Sequence, residues 1–187
     1  MVASPPPADC LIIGGGLGGL TAALHLARQG WRPILLERGA WPRHRVCGEY
    51  VSNEVIPYLQ SLGADPAALQ PARISRLLIS APSGQTLSAP LDLGGFGVSR
   101  YALDAFLARQ ATAAGVDCRP NTPVLDFTFD PHLDLFRVTL AGGQVLTARV
   151  VIGAFGKRSS LDRTLNRRFF TARSPWLAVK QHLRGHP

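Results

Sequence analysis

Five glycines lie within residues 14–19, and they satisfy the spacing G-x-G-x-x-G at Gly14, Gly16 and Gly19. In a strand–turn–helix setting, the first glycine of this spacing permits a tight turn, and the second lets a pyrophosphate approach the backbone. The third lets the helix pack closely against the strand. The motif therefore predicts a phosphate-binding turn, provided that a strand precedes it and a helix follows it.

The flanking sequence supplies that setting. Asp9–Ile13 is an apolar run of strand length, and Leu17–Gln29 carries apolar residues at helical spacing. Pro33–Leu36 is a second buried strand. These segments predict a strand–helix–strand unit whose helix begins at Leu17. The free N–H groups of its first residues, Leu17 and Gly18, would face the phosphates.

An acidic residue, Glu37, closes the second strand eighteen residues after Gly19. At this position a carboxylate accepts hydrogen bonds from the hydroxyls of the adenosine ribose and repels a 2′-phosphate, which disfavours NADP. The next residue, Arg38, either packs over the adenine or faces solvent. These residues predict a dinucleotide site that NAD or FAD could occupy.

The later segments separate these two cofactors. An NAD dehydrogenase would continue the alternation of strands and helices, whereas residues 124–150 read as a β-meander. We expect helices at Asn53–Leu62 and Tyr101–Ala114. We expect strands at Arg73–Ser80, Gln85–Ala89, Phe96–Ser99, Val116–Cys118, Val124–Phe129, Leu135–Leu140, Gln144–Val150 and Trp176–Leu183.

Four segments resemble the superfamily of FAD-dependent monooxygenases and geranylgeranyl reductases, which also includes flavin-dependent halogenases. They are the glycine unit ending in Leu36-Glu37-Arg38, residues 45–52 (RVCGEYVS), Val98-Ser99-Arg100 with Leu103-Asp104, and residues 153–159 (GAFGKRS). The resemblance implies a Rossmann-like, three-layer α/β FAD-binding domain with a central parallel sheet, helices and a β-meander. It also implies an oxidoreductase acting on a lipid or an aromatic metabolite, with NAD(P)H as a candidate electron donor.

The resemblance also implies roles for single residues. Cys47 and Gly48 are similar to the reductase-type loop near the isoalloxazine ring, and Arg100 to the arginine that opens the long helix on the flavin side. Val124 falls on the strand whose backbone meets the adenine. For Cys47, redox chemistry and simple packing beside the flavin are both open.

The loop at residues 153–159 departs from the family pattern. Gly156 matches the glycine of the family's Asp-Gly loop, but Phe155 stands where the family carries the aspartate that serves the pyrophosphate and ribitol. The departure leaves the cofactor role of this loop open.

We expect a disordered leader at residues 1–8, an FAD-binding domain at 9–170 with inserted substrate-side strands at about 74–99, and the start of a truncated substrate-side sheet at 171–187. Family members are about twice this length and carry a second Gly-Asp segment that this sequence lacks. An NAD-binding dehydrogenase domain and a non-catalytic truncated fragment are the alternatives to the FAD-dependent enzyme.

Charge and cysteine content bear on partners and location. The net charge is +8, but the segment after Val151 supplies most of it, with eight Lys or Arg residues against Asp162 alone. Because no nucleic-acid motif accompanies this basic tail, we expect a small-molecule substrate and no nucleic acid. A lipid substrate would bring the protein to a membrane surface. Three separated cysteines predict neither metal nor disulfides, which favours the cytoplasm.

Overall fold

The computed structural model describes residues 6–157, 159–167 and 175–181. Residue contacts divide the described chain into two compact units. The first comprises the described parts of Met1–Arg43 and Asp104–Pro175. The second comprises His44–Leu103 and the described part of Trp176–Pro187.

Nine strands and four α-helices form the described fold. In chain order they are β1 (Ala8–Ile13), α1 (Leu17–Arg28), β2 (Pro33–Leu36), β3 (Tyr50–Ser52), α2 (Ile56–Ser61), β4 (Ala72–Ser80), β5 (Thr86–Gly97), α3 (Arg100–Ala113), β6 (Asp117–Arg119), β7 (Val124–Asp130), β8 (Leu135–Leu140), β9 (Val145–Gly153) and α4 (Ser160–Thr164). Short 3-10 helices lie at Asn53–Val55 and Pro66–Leu69.

The first unit holds a six-stranded sheet in the order β6-β2-β1-β9-β8-β7. Strands β6, β2, β1 and β9 are parallel, whereas β8 and β7 continue the sheet antiparallel. Strand β9 joins the two parts, because Ala148 pairs with Phe136 of β8 and also with Ala8 of β1. The predicted meander and the Rossmann-like α/β class are confirmed, and the central sheet is mixed rather than wholly parallel.

The core of this sheet follows from the apolar runs in the sequence. Leu11 and Ile13 of β1, Leu36 of β2 and Val138 of β8 are all at most 4% exposed and belong to one buried cluster. Leu20 and Leu24 of α1 are completely buried. Apolar residues recur at helical spacing in α1, whereas they form short continuous runs in the strands. This difference allows each of these segments to be predicted from the sequence within about one residue of its observed bounds.

The second unit holds a three-stranded antiparallel sheet in the order β3-β5-β4. We expected two strands, at Gln85–Ala89 and Phe96–Ser99, where the structure has the single strand β5. That expectation was wrong because Pro90 pairs with Arg76, and Gly95 pairs with Ile74, on the same neighbouring strand. The register shifts between these two pairs. The break in the alternating pattern between Ala89 and Phe96 is therefore an irregularity within one strand and not a gap between two strands.

Helix α3 begins at Arg100, as the resemblance implied, and its predicted apolar face is buried. Pro57 lies in the first turn of α2, where its missing N–H needs no partner. The strand predicted at Trp176–Leu183 is wrong over its described part, because residues 175–181 are irregular and pair with no strand. Residues 182–183, like Arg158 and residues 168–174, lie outside the described residues. Among the described helices, none is both long enough and apolar enough to cross a membrane.

Candidate functional site: a nucleotide-binding turn

The glycine turn between β1 and α1 is built around two contacts that a side chain would block. Gly14 has φ +110°, and a Cβ on it would lie 2.4 Å from the Ala154 carbonyl oxygen. A Cβ on Gly19 would lie 1.8 Å from the Gly14 oxygen. The steric roles predicted for these two glycines are therefore confirmed: Gly14 makes the turn and Gly19 lets the helix approach it.

The N-terminus of α1 is open to an anion. Gly16 is the N-cap residue, no side chain caps the helix, and its first turn carries no acidic residue. A Cβ on Gly18 would meet no atom within 4 Å in the described structure. No described side chain caps these first N–H groups, including that of Leu17, so they and the positive end of the helix dipole are available to an anion.

Glu37 lies beside this turn and is only 2% exposed. Its Oε2 accepts the Gly15 N–H at 2.7 Å, and its Oε1 accepts the Gly39 N–H at 2.9 Å and Arg43 Nη1 at 2.6 Å. Arg43 Nη2 also lies 2.5 Å from Oε2. Burial raises the pKa of Glu37, but the hydrogen bonds from Arg43, Gly39 and Gly15 outweigh it and hold the pKa below its ordinary value.

Trp41 covers the other side of the glycine turn. Its indole Nε1 donates to the Gly15 carbonyl at 2.8 Å, and a Cβ on Gly15 would lie 2.1 Å from its ring atom Cζ2. Both polar backbone groups of Gly15 are therefore held by side chains, the N–H by Glu37 and the C=O by Trp41. The turn is fixed in shape before any ligand arrives.

An anionic diphosphate fits this arrangement. Arg43 Nε is buried and makes no hydrogen bond to the described residues. Arg43 Nη2 and the Gly15 N–H both contact Oε2 of Glu37, which places the guanidinium next to the glycine turn. A buried donor without a hydrogen bond, beside an uncapped helix N-terminus, is a group that a phosphate would satisfy.

The other predicted residues of this unit lie around the same sheet end. Arg38 is exposed, and Val124 begins β7 and packs against the core cluster. Gly156 is exposed with φ +79°, whereas Phe155 packs against the core cluster and contacts Gly153. Since an aromatic ring packed into the core cannot replace a carboxylate, this loop offers no side-chain acceptor at that position.

In the second unit, the predicted flavin-side residues Cys47, Gly48 and Arg100 come together around Glu49. The Glu49 N–H donates to Cys47 Sγ at 3.4 Å, and its Oε1 accepts the Arg100 N–H at 3.1 Å and forms an ion pair with Lys180. Glu49 has φ +59°, an uncommon conformation for a residue with a side chain. The loop is thus anchored to the start of α3.

The family of the chain follows from comparison with known proteins. Residues 7–181 match the FAD binding domain family. The chain belongs to this family. FAD is therefore the dinucleotide of the family to which the glycine turn belongs, and the superfamily resemblance drawn from the sequence is confirmed.

Two curated relatives illustrate the family. The menaquinone reductase of Mycobacterium tuberculosis is 26% identical over 94% of this chain and 44% of its own length. The geranylgeranyl diphosphate reductase of Rhodobacter capsulatus is 29% identical over 82% of this chain and 38% of its own length. The chain thus spans about two-fifths of the length of these relatives.

A solved structure agrees with the fold. The myxobacterial chondrochloren halogenase, described as a variant of FAD-dependent halogenases, superposes with a TM-score of 0.71 at 26% identity. The match covers 85% of this chain and 39% of the halogenase. A flavin-dependent halogenase therefore shares the fold of this chain.

Sequence reasoning missed three residues at these sites, Trp41, Arg43 and Glu49. Trp41 and Arg43 lie in a loop with no periodic pattern, and their roles follow only from the contacts of Trp41 with Gly15 and of Arg43 with Glu37 in the folded structure. A weak signal existed for Arg43, since a buried acid such as Glu37 requires a cationic or hydrogen-bonding partner. Glu49 follows Cys47-Gly48 directly, but its positive φ has no signature in the sequence.

Proposed function

We propose that this chain binds FAD and forms the FAD-binding part of a flavin-dependent oxidoreductase. The observation that carries the proposal is the uncapped N-terminus of α1 at Gly16, with the buried Nε of Arg43, which makes no hydrogen bond to the described residues, beside the same turn. Gly16 and Gly18 would lie against the pyrophosphate, and Cys47, Gly48 and Arg100 would serve the flavin side. FAD, when bound, supplies the hydride or oxygen chemistry, while the protein supplies binding and orientation.

The substrate class rests on the relatives. A menaquinone reductase and a geranylgeranyl diphosphate reductase are named for lipid-like substrates, and a halogenase shares the fold. We propose that the complete enzyme acts on a polyprenyl or aromatic small molecule, with NAD(P)H as electron donor. A polyprenyl substrate would bring the enzyme to a membrane surface. The three cysteines, which are free, are consistent with a cytoplasmic location.

Gly16→Ala tests the site directly. Gly16 has φ −87° and ψ −172°, a conformation that alanine adopts without strain. We therefore expect the chain to fold with the added methyl group. The methyl group should, however, prevent the pyrophosphate from approaching the backbone closely. We expect calorimetric titration with FAD to show binding by the wild-type chain and at least tenfold weaker binding by Gly16→Ala.

Gln29→Ala at the other end of the same helix is the matched control, and it should bind FAD as the wild type does. Circular dichroism should show both variants folded. Titration with NAD separates the alternative, because binding of NAD without binding of FAD would favour the dehydrogenase domain. Equal FAD affinity of Gly16→Ala and the wild type would contradict the proposed site.

A further inference from the structure

A cavity of about 590 Å³ lies within the second unit, between two stretches of its chain. Residues 46–49 line one side, and residues 178–181 line the other. The first stretch includes Cys47 and Gly48, for which the family resemblance implies a place near the isoalloxazine ring. Three of the lining side chains are aliphatic, namely Val46, Ala178 and Val179. The cavity therefore combines apolar contacts with a position beside the predicted flavin-side loop.

Glu49 and Lys180 are the charged residues of this lining, and their side chains form an ion pair. Glu49 is held by the protein on several sides. Its Oε1 also accepts the Arg100 N–H at 3.1 Å, its C=O accepts the Val98 N–H at 3.1 Å, and its own N–H donates to Cys47 Sγ at 3.4 Å. Glu49 thus fixes the place of the Lys180 ammonium in the cavity wall.

The Lys180 ammonium keeps donors for a ligand. It has three N–H donors, and the described residues provide one hydrogen-bond acceptor for them, Oε1 of Glu49. Because the side chain lines the cavity and is 18% exposed, the other donors are accessible from it. The Glu49 carboxylate neutralises the ammonium, so the pair favours an uncharged oxygen acceptor over an anion, which the carboxylate would repel.

We propose that Lys180 is a specificity-determining residue, which donates a hydrogen bond to an uncharged carbonyl or phenolic oxygen of a small apolar substrate in this cavity. Glu49 is the positioning residue that holds the ammonium and sets the preference for a neutral ligand. This inference rests on the proposed function and deepens it, because it names the substrate group that the flavin-side cavity recognises.

Calorimetric titration of the FAD-loaded chain with two quinones tests this assignment. The neutral probe is 2,3-dimethyl-1,4-naphthoquinone, whose methyl groups occupy the ring positions to which the Cys47 thiol could otherwise add. The anionic probe is 2-hydroxy-3-methyl-1,4-naphthoquinone, whose acidic ring hydroxyl is ionised at pH 7. We expect the wild type to bind the neutral probe more tightly than the anionic one.

Lys180→Met should weaken binding of the neutral quinone about tenfold, since a hydrogen bond from a charged donor is lost. Arg73→Met removes an exposed arginine of the same unit that does not line the cavity. It is the matched control and should bind both probes as the wild type does. Circular dichroism should show that the variants are folded.

Glu49→Gln provides a second test that does not depend on the folding of Lys180→Met. The amide keeps an oxygen for the Arg100 N–H but leaves the Lys180 charge without its counter-charge. The affinity for the anionic probe relative to the neutral one should therefore rise about tenfold or more. A purely structural role of Glu49 would change both affinities alike.

Two results would overturn the inference while leaving FAD binding intact. One is equal affinity of Lys180→Met and the wild type for the neutral quinone, which includes the case that neither binds it. The other is a preference between the two probes that Glu49→Gln leaves unchanged. A folded wild-type chain that cannot be loaded with FAD would instead overturn the proposed function, and this inference with it.

Discussion

Glu37 shows how much one residue depends on neighbours that a sequence pattern does not connect. The acid at the end of β2 could be predicted from its distance to the glycine motif, and its burial follows from the strand. Its partner Arg43 lies six residues later in an irregular loop. The pairing arises because Gly39 and Gly15 shape the backbone around the carboxylate, which only the folded structure reveals.

The lowered pKa of Glu37 predicts a pH-dependent stability. A carboxyl group whose pKa is lower in the folded state contributes stability that is complete above its unfolded pKa of about 4.3. That stability is lost as the pH falls through the folded pKa. The free energy of unfolding, measured by urea titration from pH 7 to pH 3, should therefore fall more steeply for the wild type than for Glu37→Gln. Parallel curves for the two proteins below pH 4.5 would show that Glu37 is not stabilised in this way.

At the scale of elements, the strand–helix–strand unit is where sequence and structure agree best. Strands β1 and β2 and helix α1 were predicted within about one residue, because apolar period and glycine position both constrain them. The bounds of β5 and the irregular conformation of residues 175–181 were not predicted. Whether such a segment forms a strand depends on a neighbouring strand with which it can pair, and its own sequence does not reveal that neighbour. Ala89 and Gly97 lie in one strand because β4 pairs with both.

Helix α1 allows a matched pair of glycine substitutions. Gly19→Ala should destabilise the chain by about 1–3 kcal/mol, because its Cβ would overlap the Gly14 carbonyl oxygen. The Cβ added by Gly18→Ala would meet no atom within 4 Å in the described structure. This substitution should therefore raise the free energy of unfolding by up to about 1 kcal/mol, because alanine has the higher helix propensity. Thermal or urea unfolding checks both. A stabilising Gly19→Ala would mean that the helix does not approach the turn as closely as the structure shows.

At the scale of the whole molecule, the predicted site residues are distributed over both compact units. The glycine turn, Glu37 and Arg43 belong to the first unit, and the Cys47 loop with Arg100 belongs to the second. Family membership extends over residues 7–181 and so includes both. The sequence identified the family through four short segments, whereas the contacts of Arg43 in the first unit and of Glu49 in the second unit came from the fold.

If the folded chain binds FAD, as we propose, FAD must stabilise the fold. A ligand that binds only the folded state raises the unfolding free energy by about 2.7 kcal/mol at a hundred times its dissociation constant. The most direct measurement is the unfolding midpoint of the purified chain as a function of FAD concentration, with NAD as the comparison. We expect a midpoint that rises with FAD and rises less with the same concentration of NAD, which shares only the ADP part. A cooperatively folded chain whose midpoint does not change at saturating FAD would contradict it.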